Sequence, residues 1–292
     1  MLTQAELEQR TGSRARKARP LASLRQRYQE YILQRIEDYK NSLSREELFT
    51  LGNDAVAELE NDPEGQYFLT EVLVEDTVDK MIQKRLRLPS FTRWKQKHAK
   101  LRQAQREPTH WGLERRSVLG AVLERLEPGD HAIVIGGGAE SAAYLLAAHD
   151  VRLTCLFEDD PTCTRIESRM SAESLTSELA TFVVQLGVWF PHLRAPAQLV
   201  VIDAGTLGEL APPRRLNLMA RLQDCTAPGG LHAVVSRVGS VAPETWLSLY
   251  PDWEKVPLRF DSRGRGGKRG ASPGVLLARP LPQPAPEQAS TA

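Results

Sequence analysis

Three consecutive glycines, and an acid about twenty residues after them, are the residues of this chain best suited to binding a ligand. Gly136–Gly138 end an apolar run over 131–136, and a helix-forming run follows them. A second apolar run, 151–157, is followed by Glu158. Glycine lets backbone approach a ligand where a Cβ would clash, and an acid after the second strand can accept hydrogen bonds from ribose hydroxyls. This layout is typical of a nucleoside-binding βαβ unit.

Two further acids stand at predicted strand ends. Asp159 can take the ribose contact after a one-residue shift in register, whereas Asp159-Asp160-Pro161 is also a typical helix start with acids at its N-terminus. The predicted fourth strand, 198–203, ends at Asp203, at the edge of the sheet where open α/β folds bind ligands. We therefore expect Asp203 to face the ligand, with helix capping as the alternative.

One histidine is a candidate general base. His110 lies just before the first predicted strand, in Pro108-Thr109-His110-Trp111-Gly112. Imidazole titrates near neutral pH, so this side chain can take a proton from an acceptor. A lone histidine in a linker more often has a surface or packing role, and that stays the alternative.

Alternating apolar runs and helical stretches in the second part of the chain predict a parallel, doubly wound sheet. The last two predicted strands are separated only by the glycine-rich stretch 261–270, which leaves no room for a crossover helix, so they should pair antiparallel. The predicted strands are 131–136, 151–157, 181–186, 198–203, 231–238, 254–260 and 274–279.

The first part of the chain shows only helical patterns. Helices are predicted over 21–43 and 66–86, the second ended by Pro89, and over 91–105. Ser44-Arg45-Glu46-Glu47 is a capping box, which begins another helix. We predict a helical N-terminal domain over 1–115, an α/β domain over 116–280 and a disordered tail over 281–292.

Five alternating strands followed by an antiparallel pair resemble the fold of class I S-adenosylmethionine-dependent methyltransferases, a Rossmann-like fold whose seven-stranded sheet has a reversed last strand. Ala227-Pro228-Gly229-Gly230 resembles the turn before the fifth strand of that family. The expected fold class is therefore α/β: a doubly wound, seven-stranded, mostly parallel sheet with an antiparallel last strand, preceded by an all-helical N-terminal domain.

The resemblance implies a methyltransferase with S-adenosylmethionine as cofactor. Gly136, Gly137 and Gly138 would shape the approach of the methionine and ribose, and Glu158 or Asp159 would hold the ribose. Backbone near Gly187 would lie by the adenine. Asp203, and with it His110, would face the acceptor. Val134 and Glu140 stand where the family's first motif often has an acid and its last glycine.

Two alternatives stay open at this point. Ile135-Gly136-Gly137-Gly138 is also similar to the start of the spermidine synthase glycine loop, which implies an aminopropyltransferase. The family's Asp-Gly-Gly continuation is replaced here by Ala139-Glu140-Ser141. The departures at Val134 and Glu140 also fit a catalytically inactive, methyltransferase-like module used for binding or assembly.

Bulk composition narrows the class of protein. The chain has 292 residues, a net charge of +1, and 41% hydrophobic and 26% charged residues, as in a soluble globular protein. Three cysteines without metal-ligand spacing indicate a reducing, cytoplasmic location. We expect no membrane association, because no run of eighteen apolar residues occurs.

Charge is segregated in the helical part of the chain. Glu46 to Asp79 contains eleven acids and no Lys or Arg, and Lys80 to Arg106 contains ten Lys or Arg and no acid. The favoured interpretation is that the two blocks face and neutralise one another, so the methyl acceptor is expected to be a small molecule. Nucleic-acid binding through Lys80–Arg106 is the alternative. The helical domain can also provide a homodimer surface.

Overall fold

A computed structural model describes residues 23–61, 70–193, 195–236, 241–258 and 274–281. The described residues form two compact units that divide between Leu101 and Arg102. The predicted boundary near residue 115 is thus some residues later than this division. The predicted tail beyond 281 and the whole of the predicted 261–270 loop lie outside the described residues.

The first unit is helical. Ser44 caps α2 as predicted, since its hydroxyl accepts from the Glu47 amide while the Glu47 carboxylate accepts from the Ser44 amide. The four helices are α1 (Leu24–Ser42), α2 (Arg45–Glu60), α3 (Glu71–Arg85) and α4 (Phe91–Gln105), the last extending across the division between the units.

The core of this unit is small. Ile36 of α1 and Ile82 of α3 are almost completely buried and share a cluster with Leu51 of α2. The Trp94 side chain of α4 is also buried, against Tyr28 and Tyr31 of α1. This core therefore contains a buried side chain from each of the four helices.

The second unit contains a seven-stranded sheet in the order β3-β2-β1-β4-β5-β7-β6. The pairs among β1–β5 are parallel, and β7 pairs antiparallel with both β5 and β6. This confirms the predicted fold class, including the reversed last strand. The strands are β1 (His131–Ile135), β2 (Arg152–Phe157), β3 (Leu179–Val183), β4 (Ala197–Asp203), β5 (Thr226–Val235), β6 (Glu254–Lys255) and β7 (Gly274–Ala278).

Helices cover both faces of the sheet, which explains why its strands are continuous apolar runs. Ala132 and Val134 of β1 pack into one cluster, and Ile133 and Ile135 pack into the cluster on the other face. The first cluster includes α5 (Val118–Leu123), α6 (Glu140–Ala148) and α7 (Asp160–Ala172), and the second includes α8 (Ala204–Glu209) and α9 (Pro212–Cys225). Within the described ranges, no helix is both long and apolar enough to cross a bilayer.

A buried histidine links β5 to the segments packed on it. The Thr226 hydroxyl donates to the Leu222 carbonyl (2.6 Å), so it can only accept at its 2.8 Å contact with His232 Nε2. Nδ1 of His232 is then the acceptor for the Tyr250 hydroxyl at 3.0 Å. The network therefore fixes a neutral imidazole with its proton on Nε2.

Burial, followed by the positive charge of Arg279, lowers the pKa of His232 from 6.5 to about 3. Between these values the unfolded chain binds a proton that the folded chain does not, so the stability contributed by neutral His232 falls as the pH drops below 6.5.

We expect the advantage of the wild type over His232→Gln in free energy of unfolding to shrink by about 2 kcal/mol between pH 7 and pH 5. Urea unfolding at both pH values measures it, and a difference that does not change with pH would contradict the assignment.

Candidate functional site

The predicted site residues that follow β1, β2 and β4 meet at one edge of the sheet. β1 lies between β2 and β4, with Ile135 paired to Leu156 on one side and to Ile202 on the other. The chain therefore leaves these three strands at adjacent points, which we call the carboxyl edge. Strand order reverses here, because β2 lies on one side of β1 and β4 on the other. This is the position at which open α/β sheets bind ligands.

The three glycines have different surroundings. Gly136 has φ +83°, and an added Cβ would collide with the Thr206 side chain. An added Cβ at Gly138 would collide with the Asp203 carboxylate. At Gly137, an added Cβ would meet no atom within 4 Å. Two glycines therefore let the loop lie against β4 and α8, and the middle one faces open space.

Asp203 lies at the predicted place, and its carboxylate caps α8. It accepts from the amides of Gly205 and Thr206, both at 3.3 Å, and from the Thr206 hydroxyl at 2.9 Å. The residue is only 8% exposed. The contacts of Asp203 are therefore those of a helix cap, which was the alternative interpretation. Its carboxylate also lies close to Gly138, so it lines the candidate site.

Glu158 follows β2 as predicted, and 44% of its side chain is exposed. Its Oε1 lies 3.3 Å from Nη2 of Arg214. Arg214, in the first turn of α9, also donates to the Leu186 carbonyl from Nε (3.0 Å) and Nη2 (2.8 Å). Arg214 therefore connects the ends of β2 and β3. No motif of the sequence points to Arg214, which follows two prolines at the start of α9.

Asp159, the alternative to Glu158, has a different role in the structure. Its Oδ1 accepts from the Thr162 amide at 2.8 Å and caps α7. Asp160 is the first residue of that helix, where an acid is favourable. Asp159 is therefore the helix cap, and the ribose contact of Glu158 stays a prediction.

Gly187 lies in the turn after β3, where its φ of +74° and the nearby Arg214 carbonyl leave no room for a Cβ. Its own carbonyl accepts from the Asn217 side-chain amide at 2.8 Å. Together with the Arg214 contacts to Leu186, this fixes the turn to the start of α9. The backbone near Gly187 is thus held in place at the edge where an adenine contact was predicted.

Glu140 is held by a network that the sequence analysis did not identify. Its carboxylate accepts from the Tyr144 hydroxyl (2.5 Å) and from Arg165 Nε (3.0 and 3.1 Å). Burial by itself raises the pKa of Glu140, but the hydrogen bonds from Arg165 and Tyr144 outweigh it, and the pKa lies below its ordinary value. The i, i+4 spacing of Glu140 and Tyr144 was a signal for part of this network.

The structure does not bring His110 to the carboxyl edge. Its ring lies 4.6 Å from the Trp111 ring, and its Nε2 lies 3.8 Å from Glu173 Oε2. Glu173 follows α7, a helix that begins beside the carboxyl edge and extends about 20 Å from it. His110 therefore lies near the end of α7 that is far from the carboxyl edge, and we do not include it in the proposed site.

Similarity to known proteins is limited to solved structures. No protein-family model matches the chain, and no curated protein matches it in sequence. Similar solved structures include an rRNA methylase from Streptococcus thermophilus, with 15% identity, 56% of this chain and 94% of that chain covered, and a TM-score of 0.39.

Two others are the N-methyltransferase NodS from Bradyrhizobium japonicum in complex with S-adenosyl-l-homocysteine and the cyclase SpnF. NodS is 19% identical, with 54% of this chain and 82% of that chain covered and a TM-score of 0.38. SpnF is 16% identical, with 48% of this chain and 58% of that chain covered and a TM-score of 0.38. At these identities and TM-scores the similarity does not identify a function.

Substitutions in the glycine loop test this geometry directly. Gly136→Ala should lower the free energy of unfolding by about 1–3 kcal/mol from its positive φ, and its Cβ would also displace Thr206. Gly137→Ala, next to it, should change stability by less than about 0.5 kcal/mol, because its Cβ enters open space. Urea denaturation followed by tryptophan fluorescence compares the two, and equal losses would show that the loop conformation described here is incorrect.

Proposed function

We propose that the sheet-containing unit binds S-adenosylmethionine at its carboxyl edge and transfers the methyl group to an acceptor. One observation carries the proposal. A Cβ added at Gly137, after β1, would meet no atom within 4 Å, and the half-exposed Glu158 follows the neighbouring strand β2. A nucleoside lying across these two strand ends would contact glycine backbone on one side and a carboxylate on the other.

The residues present fit such a cofactor. Of the two carboxylate oxygens of Glu158, only Oε1 has a hydrogen-bond partner among the described residues. Oε2 can therefore accept hydrogen bonds from ribose hydroxyls. Arg214 would hold the Glu158 carboxylate in place and keep the Leu186–Gly187 turn in position. When bound, S-adenosylmethionine supplies a methyl group activated by a sulfonium.

The carboxylates of the site favour a mechanism based on positioning. Asp203 is occupied as the cap of α8, and Glu140 is held by Arg165 and Tyr144. Neither is placed as a free proton acceptor, so the contribution of this chain would be to orient the methyl donor and the acceptor. Asp203 would act as a wall of the site.

A second candidate is a catalytically inactive, methyltransferase-like binding module. The ion pairs of Glu158 with Arg214 and of Glu140 with Arg165 favour it, because each gives an acid of the edge a partner within the chain itself. Transfer of label from methyl-labelled S-adenosylmethionine to any acceptor separates the two. Binding without turnover would favour the module.

Calorimetric titration with S-adenosylmethionine and S-adenosylhomocysteine tests the cofactor site. We expect micromolar binding by the wild type, weakened by about tenfold to a hundredfold in Glu158→Gln, because hydrogen bonds to a charged group contribute about 1.5–3 kcal/mol. Decarboxylated S-adenosylmethionine in a parallel titration distinguishes an aminopropyltransferase, which would prefer it.

Asp159→Asn is the matched control. It removes a charge from the adjacent position while asparagine can still cap α7, so binding should be retained. Equal weakening of cofactor binding in both variants would show that the effect comes from the lost negative charge and not from a specific contact of Glu158. No binding to a folded wild-type protein would refute the proposal.

A further inference from the structure

Four of the five Lys and Arg residues of α4 have no partner among the described residues. Arg93, Lys95, Lys97 and Lys100 are all exposed. None makes an ion pair or hydrogen bond with any residue in the part of the chain that the structure describes. The helix itself contains no acid. This leaves a positively charged surface that packing does not explain.

The neighbouring cations behave differently. Lys80 pairs with Asp76 at 2.8 Å and Lys84 with Glu58 at 3.5 Å. At the other end of the basic block, Arg102 and Arg106 both pair with Asp150. Pairing between the acidic and basic blocks is therefore limited to the start of the basic block. The end of the basic block pairs with Asp150, outside the acidic block, and its middle stays charged.

Three of the four unpaired cations form a stripe. Arg93, Lys97 and Lys100 follow the spacing i, i+4, i+7, which places them on one side of the helix over about 10 Å. A nucleic-acid strand in a duplex carries one phosphate per about 3.4 Å of helix axis, so this length corresponds to about three phosphates. We name Arg93, Lys97 and Lys100 the α4 stripe.

We infer that the α4 stripe binds the phosphate backbone of a nucleic acid. Trp94 is buried against Tyr28 and its ring also stacks on His98, so this aromatic side chain is not available to stack on bases. Recognition by phosphate contacts alone is independent of sequence and depends strongly on salt. An anionic membrane is a poorer fit, because Leu101 is the only exposed large apolar side chain of α4. The inference does not depend on the proposed cofactor.

Fluorescence anisotropy with a labelled 20-bp duplex DNA and a labelled 20-nucleotide single-stranded RNA, each in two unrelated sequences, tests this inference. The wild-type protein should bind both sequences of a probe equally. In the triple variant Arg93→Gln/Lys97→Gln/Lys100→Gln, the slope of log affinity against log salt should fall by about 2–3, and affinity at 100 mM salt by at least tenfold.

A second triple variant controls for net charge. Lys80→Gln/Lys84→Gln/Arg115→Gln removes the same charge from cations that already have acidic partners, so it should bind like the wild type. Equal loss in both variants, no loss in the stripe variant, or no binding of any probe at 50 mM salt would overturn the inference. So would stripe-dependent binding to phosphatidylserine vesicles without binding to the nucleic acids.

Discussion

The structure of the sheet-containing unit depends on the pairing of β1 between β2 and β4. The side chains of Ile133, Val134 and Ile135 are completely buried, so both faces of β1 are packed against other residues. A shift by one residue would exchange the faces of the whole strand. This fixed register places the glycine loop beside the ends of both neighbouring strands, and with it every residue of the candidate site.

Three acids converge on this edge, and the chain gives each a partner. Asp203 caps α8, Glu140 is bound by Arg165 and Tyr144, and Glu158 reaches Arg214. These acids differ in exposure: Asp203 is buried, whereas nearly half of the Glu158 side chain is exposed. Exposure therefore distinguishes Glu158, which we propose binds the ligand, from Asp203, which is buried as a helix cap.

Charge in the helical unit follows the same logic. Acids and bases that face each other across neighbouring helices or along one helix are neutralised, as Lys40 is by Asp79 and Lys80 by Asp76. Because exposed ion pairs are weak, they stabilise the fold little. Four cations of α4 have no such partner among the described residues, so positive charge is concentrated on this helix although the chain as a whole is nearly neutral.

The sequence by itself determined the fold class, because alternating strands and helices and a glycine-rich hairpin restrict the topology to few solutions. It also placed Gly136–Gly138, Glu158 and Asp203 at strand ends, since those positions follow from local patterns. Only the tertiary structure decided which atoms these residues contact. The pairing of Glu158 with Arg214, 56 residues away, and the separation of His110 from the carboxyl edge depend on how distant segments pack. Local spacing carries no information about such contacts.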